Sequence, residues 1–122
     1  MSKVSKFIIG RLRGCGYAIK GALLLIRTEP SIQVQVGITI VMTVAGFYLN
    51  ITKTEWMLQI FAIGLIMSVE GVNTAIEAIA DFVHPDFHDK IGFIKDVAAG
   101  AVFIAAITAV IIGLIIYVPY FL

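Results

Sequence analysis

Trp56 to Val69 (WMLQIFAIGLIMSV) carries no charge and runs directly into Glu70-Gly71-Val72-Asn73-Thr74-Ala75-Ile76-Glu77-Ala78-Ile79-Ala80-Asp81. The first part is apolar enough to enter a bilayer, and the two parts together reach the length of about 20 residues that a spanning helix needs. Glu70, Asn73, Glu77 and Asp81 are three, four and four residues apart. At about 100° per residue they fall within roughly 80° of one another on a helix. Thr74 joins that face, while Val72, Ile76, Ile79 and Val83 take the opposite one. The stretch therefore predicts an apolar helix with a polar stripe down one end. Glu70 lies about 10 Å deeper than Glu77, at roughly 1.5 Å of rise per residue.

On either side lie two more apolar stretches. Residues 32–49 contain no charge, although Gln33 and Gln35 make the first turn polar, and residues 97–122 contain none at all. A short polar turn, residues 50–55, joins the first stretch to the second. The second and third are joined across residues 81–96, where His84-Pro85 ends the helix because proline disfavours a helical residue before it. Residues 1–29 differ: Lys3, Lys6, Arg11, Arg13, Lys20 and Arg27 alternate with Phe7, Ile8, Tyr17, Leu24 and Leu25. That pattern predicts an amphipathic helix lying on the membrane surface. Basic residues spread throughout, with no compact apolar core, do not read as a cleaved signal peptide. The expected fold is all-α: a surface helix over about 3–28 and spans over about 32–49, 56–80 and 97–119, in one domain covering 1–122.

The chain has 122 residues, 60% hydrophobic and 14% charged, with a net charge of +1. Soluble domains carry about 25% charged residues. This balance excludes a disordered chain and a nucleic-acid binder, and leaves no room for a separate soluble catalytic domain. The single cysteine, Cys15, cannot form an internal bridge and reads as a small buried residue. All the basic residues except Lys53 fall in the N-terminal segment or in the 81–96 connection. The positive-inside rule then places both in the cytoplasm and the 50–55 turn outside. Tyr117, Tyr120 and Phe121 suit an aromatic belt at the outer surface.

The acids follow the same asymmetry. All but Glu55 lie toward the cytoplasmic side: Glu29, Glu70, Glu77, Asp81, Asp86, Asp89 and Asp96. Charge inside a bilayer is costly, so such a stripe must face protein, water or cations. Carboxylates one turn apart repel unless a cation sits with them. A hard divalent ion answers both demands, and Mg2+ takes one or two carboxylates together with phosphate oxygens. Glu29 precedes Pro30 at the same level. Lys95-Asp96 opens the third span there, with a lysine able to hold phosphate and an aspartate able to cap a helix. No Gly-x-x-x-x-Gly-Lys-Ser/Thr loop is present, and Gly14-Cys15-Gly16 lacks a third glycine and a preceding strand. His84 and His88 are separated by Pro85 and read as loop residues. Asn50-Ile51-Thr52 reads as turn chemistry. The third span's Ala98-Ala99-Gly100 run is small-residue packing of the kind membrane helices use.

Glu70-x-x-Asn73-Thr74-Ala75-Ile76-Glu77, then Asp81, then Lys95-Asp96-x-Ala98-Ala99-Gly100-Ala101-Val102, resembles the prokaryotic diacylglycerol kinase family, which includes undecaprenol kinases. Gly16-Tyr17-Ala18-x-x-x-Gly21 and Glu29 are similar too, and the likeness runs from about residue 7 to 118. The resemblance implies a bacterial inner-membrane enzyme, multi-pass, that forms homotrimers with active sites shared between subunits and facing the cytoplasm. It implies ATP as co-substrate, Mg2+ as metal, and a lipid alcohol as acceptor. Glu70 would be the general base. Glu29 and Glu77 would hold the metal and, through it, the ATP phosphates. Asn73 and Asp81 would order that environment, and Tyr17 would pack on the nucleotide. Asp86 and His88 fall where the family touches the nucleoside, and Lys95 and Asp96 would contact ATP. Two departures stand out. Gly10 occupies a position where the family often has arginine, with Arg11 one step later, and the turn from Pro30 to Gln35 carries no positive charge.

Phosphoryl transfer needs positioning and charge neutralisation more than covalent help. The depths of the acids divide that work: water-soluble ATP at the interface, the lipid hydroxyl slightly deeper at Glu70. One subunit has too few helices to enclose both, which predicts an oligomer. Ala99 and its neighbours resemble the undecaprenol-phosphorylating subgroup more than the diacylglycerol one. A small proton-coupled exporter is the competing class. Such a protein places its acid near the midplane, whereas these acids gather at one face.

Overall fold

The computed structural model describes residues 2–122 and contains four helices: α1 (Lys3–Thr28), α2 (Pro30–Leu49), α3 (Lys53–Val83) and α4 (Asp89–Phe121). No strand occurs among the described residues. The last three helices are long and apolar enough to cross a membrane. All three spans and the surface helix match the expected order; α2 begins at Pro30 and stays uncharged, while α3 and α4 extend beyond their uncharged cores. α4 grows the most, because Lys90, Lys95 and Asp96 end the apolar run without ending the helix. Below, the basic end is the end carrying the α1–α2 junction and the loop after α3. The far end carries the turn after α2.

Local signals set every boundary. Ser2 caps α1 by accepting from the Ser5 N–H at 3.1 Å. Pro30 opens α2, where its missing N–H costs nothing within that helix. Asn50 ends α2 in the left-handed region, at φ 52° and ψ 52°. Ile51 N–H reaches back to the Gly46 carbonyl at 3.1 Å, and Asn50 N–H to Phe47 at 3.3 Å. Thr52 and Glu55 then form a reciprocal capping box that starts α3. The Asn50-Ile51-Thr52 sequence is thus turn chemistry, as expected.

At the other end of α3, His84 is the last half-helical residue, before Pro85. His88 caps α4 by accepting from Lys90 N–H at 3.1 Å. This corrects the expected cap at Asp96: the helix begins well before it, so Lys95 and Asp96 lie inside the helix rather than at its start. Cys15 is exposed, not buried, because α1 has no buried residue.

α3 and α4 pack most closely, antiparallel. Ala62, Ala80, Ala98 and Ala105 are all buried. Small side chains let two backbones approach closely, which is what packs helices where lipid offers no hydrophobic driving force. Gln59 and Asn73 are buried on the same side of α3 as Ala80, at multiples of seven residues. At the far end, Tyr117 of α4 donates to Gln59 Oε1 and to the Met42 carbonyl of α2, and Gln59 Nε2 donates to Met42 at 3.2 Å. Phe47 and Trp56 pack with ring centres 4.8 Å apart and planes tilted by 51°, beside Gly46, where an added Cβ would meet the indole at 2.6 Å. Large apolar side chains such as Phe47, Phe61, Phe103 and Ile115 project outward from the single chain.

Candidate functional site

The helix delivers the stripe as its spacing requires. Along α3, Glu70 is half-buried, Asn73 is buried, and Glu77 and Asp81 are exposed. Thr74 turns its hydroxyl back onto the Glu70 carbonyl at 3.1 Å and so offers no donor to a ligand. Asn73 lies on the same side of α3 as the buried Gln59 and Ala80, and its Oδ1 is buried without a hydrogen-bond partner. An orphaned carbonyl oxygen of this kind is costly unless something else pairs with it.

α4 supplies the positive charge. Lys95 Nζ lies 2.5 Å from Asp81 Oδ1. The Asp81 carboxylate holds the Lys95 ammonium above the usual lysine range, with Glu77 adding to the effect by its charge. Asp81 and Lys95 therefore meet at the basic end, joining α3 to α4. The loop beyond is ordered by its histidines: the His84 ring bonds the Asp86 carbonyl at 2.7 Å, and His88 caps α4. Asp86 and His88 thus sit together on a short loop whose backbone is fixed.

α1 reaches the site from the other side. Leu25 packs so closely on Gly71 that an added Cβ there would meet its Cδ1 at 2.9 Å. Ile32 is fully buried beside that contact, near Leu25, Ile26 and Met67. Glu29 is at the break between α1 and α2, half-buried, with an extended backbone and no side-chain bond capping α2. Its carboxylate is thus left available. Tyr17, Asp96 and Ala99 are exposed, and none makes a side-chain hydrogen bond or ion pair among the described residues. Ala98 is buried in the α3–α4 seam. Its small size answers to packing, which leaves Ala99 as the exposed member of that run.

A cavity of about 610 Å³ opens between α2, α3 and α4. Ser31, Gln35 and Glu70 line its basic end; Met42, Gln59 and Tyr117 line its far end; Ile38, Ile66 and Val110 stand between. The Gln35 Oε1 is buried there without a partner. Sequence reasoning missed Gln35 as a cavity residue, and it missed Gly71 and the Gln59–Tyr117 link. Gln35 and Gln59 each left a trace, as amides in uncharged spans.

Glu29 and Glu77 carry oxygen atoms of the kind a hard divalent ion takes, and Asn73 Oδ1 lacks a partner. Among the described residues no three His, Cys, Asp or Glu side chains cluster to hold a metal.

Fold and cavity together define a three-span helical membrane protein with Glu70 at one end of a largely apolar groove and an Asp81–Lys95 ion pair toward the same end. The family model for prokaryotic diacylglycerol kinase matches residues 16–117. An undecaprenol kinase of Bacillus subtilis (strain 168) is 37% identical over 93 residues, 76% of each chain. A diacylglycerol kinase of Escherichia coli (strain K12) is 33% identical over 101 residues, 82% of each chain. One from Pseudomonas aeruginosa is 32% identical over 94 residues, 77% of this chain and 76% of that protein. The chain belongs to the prokaryotic diacylglycerol kinase family. It is an ATP-dependent lipid kinase and a multi-pass bacterial membrane protein, which removes the exporter reading.

Proposed function

We propose that the chain acts as one unit over residues 1–122, transferring the γ-phosphoryl group of ATP to the hydroxyl of a membrane-anchored alcohol, undecaprenol in preference to diacylglycerol. The observation that carries this reading is the position of Glu70, the one charged residue lining a largely apolar cavity, at its basic end. An alcohol whose chain fills that cavity presents its hydroxyl to a carboxylate that no other side chain occupies. Glu70 takes the hydroxyl proton as the oxygen attacks the γ-phosphorus. The new P–O bond forms while the bond to the ADP oxygen breaks.

The nucleotide half lies at the shallower level. Glu29 and Glu77 would hold Mg2+, which when bound neutralises charge on the phosphate oxygens. Asn73 and Asp81 order that region, and Lys95 exchanges its Asp81 partner for phosphate as ATP arrives. Asp96 contacts ATP from the same helix, Asp86 and His88 lie along the nucleoside, and Tyr17 packs on it. Ala99 borders the lipid. Tyr17, Asp96 and Ala99 stand free in one chain, which supports a homotrimer whose sites are completed by a neighbour. The concentration of basic residues at this end supports a site facing the cytoplasm.

Undecaprenol is favoured by the cavity wall. Between its two polar ends the wall is almost all hydrocarbon: the Thr39 hydroxyl there already donates to the Gln35 carbonyl at 2.7 Å, and at the far end Gln59 and Tyr117 are bonded to each other and to Met42. A polyprenyl chain has no polar atom below its hydroxyl, whereas two ester groups would enter that wall with few donors to meet them. The test offers each alcohol separately in mixed micelles with γ-labelled ATP. A higher kcat/KM for undecaprenol is expected; equal or reversed efficiencies would remove the preference, and no labelled lipid from either would remove the function.

A further inference from the structure

Proline at position 30 creates a deficit as well as a break. In a continuous helix the Ile26 carbonyl would accept from the N–H of residue 30, but Pro30 has none. The chain also turns at Glu29, whose backbone is extended at φ −99° and ψ 112°. The Arg27 carbonyl loses its ordinary partner with it. Earlier carbonyls in this last turn are provided for: Leu24 accepts from the Thr28 hydroxyl at 2.6 Å, and Leu25 from Glu29 N–H at 3.0 Å.

Gln33 closes the gap. Its Nε2 donates to the Ile26 carbonyl at 3.1 Å and to the Arg27 carbonyl at 3.0 Å. Its backbone N–H donates to the Glu29 carbonyl at 3.0 Å. One residue in the first turn of α2 is thus bonded to α1 through its side chain and to Glu29 through its backbone. Glu29 sits inside the loop these bonds close, with its backbone fixed on both sides. Its side chain caps neither helix. A held backbone beneath a free carboxylate is the arrangement a preorganised ligand requires.

We propose that Gln33 is a positioning residue for the nucleotide half of the site: its carboxamide supplies the donors that the Pro30 break removes, and so fixes the direction from which Glu29 reaches the α3 stripe. This rests on the reading of Glu29 as a ligand of the metal–nucleotide complex. Gln33 itself touches neither substrate. The seat of Leu25 on Gly71 sets how closely α1 approaches α3; Gln33 sets the angle at which the chain leaves α1.

Full-length variants in mixed micelles test this. Gln33→Leu keeps the volume and loses the donor, Gln33→Glu sets oxygen against carbonyl oxygen, and Gln33→Lys restores a donor. With two hydrogen bonds lost, the competent fraction of the junction falls, and the KM for MgATP rises about tenfold in the Leu and Glu variants. The KM for the lipid alcohol and kcat at saturating MgATP stay within about twofold. The Lys variant recovers most of the loss. Trypsin cleavage after Arg27, which needs no nucleotide, quickens in the Leu and Glu variants and not in the Lys variant.

An unchanged MgATP KM in Gln33→Leu would overturn the proposal, as would a Leu defect that Gln33→Lys does not relieve. A general structural role would lower kcat and raise both KM values together, and that result also overturns it. Glu29→Gln separates the proposal from the reading beneath it. If Glu29→Gln leaves the MgATP KM and the Mg2+ dependence intact, the ligand reading fails. If Glu29→Gln is impaired and Gln33→Leu is not, only the positioning role fails. In the double variant, Gln33→Leu adds no further rise once the Glu29 carboxylate is gone.

Discussion

Replacing Glu70 by glutamine removes a proton acceptor while conserving nearly all the volume of the side chain. In the folded chain the Glu70 carboxylate makes no hydrogen bond or ion pair among the described residues; only its backbone carbonyl is used, by Thr74. It borders a cavity and is half-buried, so the substitution neither opens a void nor strands a partner. Stability should therefore change little, by less than about 0.5 kcal/mol. The chemical step should change greatly. A positioned general base contributes about 10²- to 10⁴-fold, equivalent to roughly 3–5 kcal/mol of barrier. Transfer of γ-label from ATP to the lipid alcohol, followed alongside unfolding in detergent, reads both quantities on one sample. The expected result is a loss of at least 100-fold in kcat, with the unfolding midpoint and the KM for MgATP near those of the parent. Near-normal kcat would refute the assignment of the base. A matching loss of stability would refute the argument that the carboxylate is structurally idle.

Other consequences follow from the same contacts. Glu77→Ala should weaken MgATP binding and raise the Mg2+ concentration needed for half-maximal turnover by about tenfold or more; an unchanged Mg2+ titration would count against its metal role. Tyr117→Phe removes the hydroxyl that pairs with Gln59 and Met42 and should cost about 1 kcal/mol in detergent unfolding with kcat largely kept. In combination with Gln59→Leu the two losses should be less than additive, because the second change removes the stranded partner. At the far end, the Tyr120 hydroxyl and the Thr52 N–H both donate to Glu55 and hold its carboxyl below the usual value of 4.5. A lowered folded value means this contribution is complete above the unfolded value and is lost as pH falls through the folded one. Stability should therefore decline on acidification below about pH 4.5. Tyr120→Phe should flatten that decline, as unfolding midpoints across an acid series would show.

Much of this molecule could be read from one dimension, and the rest depended on which chain segments meet. The spans were legible because uncharged runs such as 97–119 admit few other readings. The stripe was legible because three- and four-residue spacing is fixed by helix geometry. Helix ends were less legible. Lys95 and Asp96 looked like the start of a helix because they end an apolar run, yet His88 had already provided the cap. Asn73 shows a further limit. Its place on the polar face follows from its number, but only tertiary packing buries it and leaves its Oδ1 without a partner. Lys95 and Asp81 were both expected at the site, and neither sequence position indicated that they would neutralise each other at 2.5 Å before any ligand arrives.

The alanine seam explains why the chemistry lies where it does. A Leu at Ala80 or Ala105 would force α3 and α4 apart, since both positions are buried with almost no exposed surface. Overpacking of this kind costs about 1–3 kcal/mol in ordinary cores. Here it would also move Lys95 away from Asp81 and Glu77, because those side chains sit at the end of the same antiparallel pair. The cavity responds in the opposite sense, since α2 closes it from the third side and is anchored to the other two by Met42, Gln59 and Tyr117. Close α3–α4 packing with a looser α2 thus produces both features at once: an open groove between the three helices, and an Asp81–Lys95 ion pair held across the α3–α4 seam. Ala105→Leu should accordingly impair ATP-dependent turnover more than it impairs partition of the lipid alcohol into the enzyme, measured as KM for MgATP against KM for lipid. The reverse order would show that the seam sets the groove and not the ion pair.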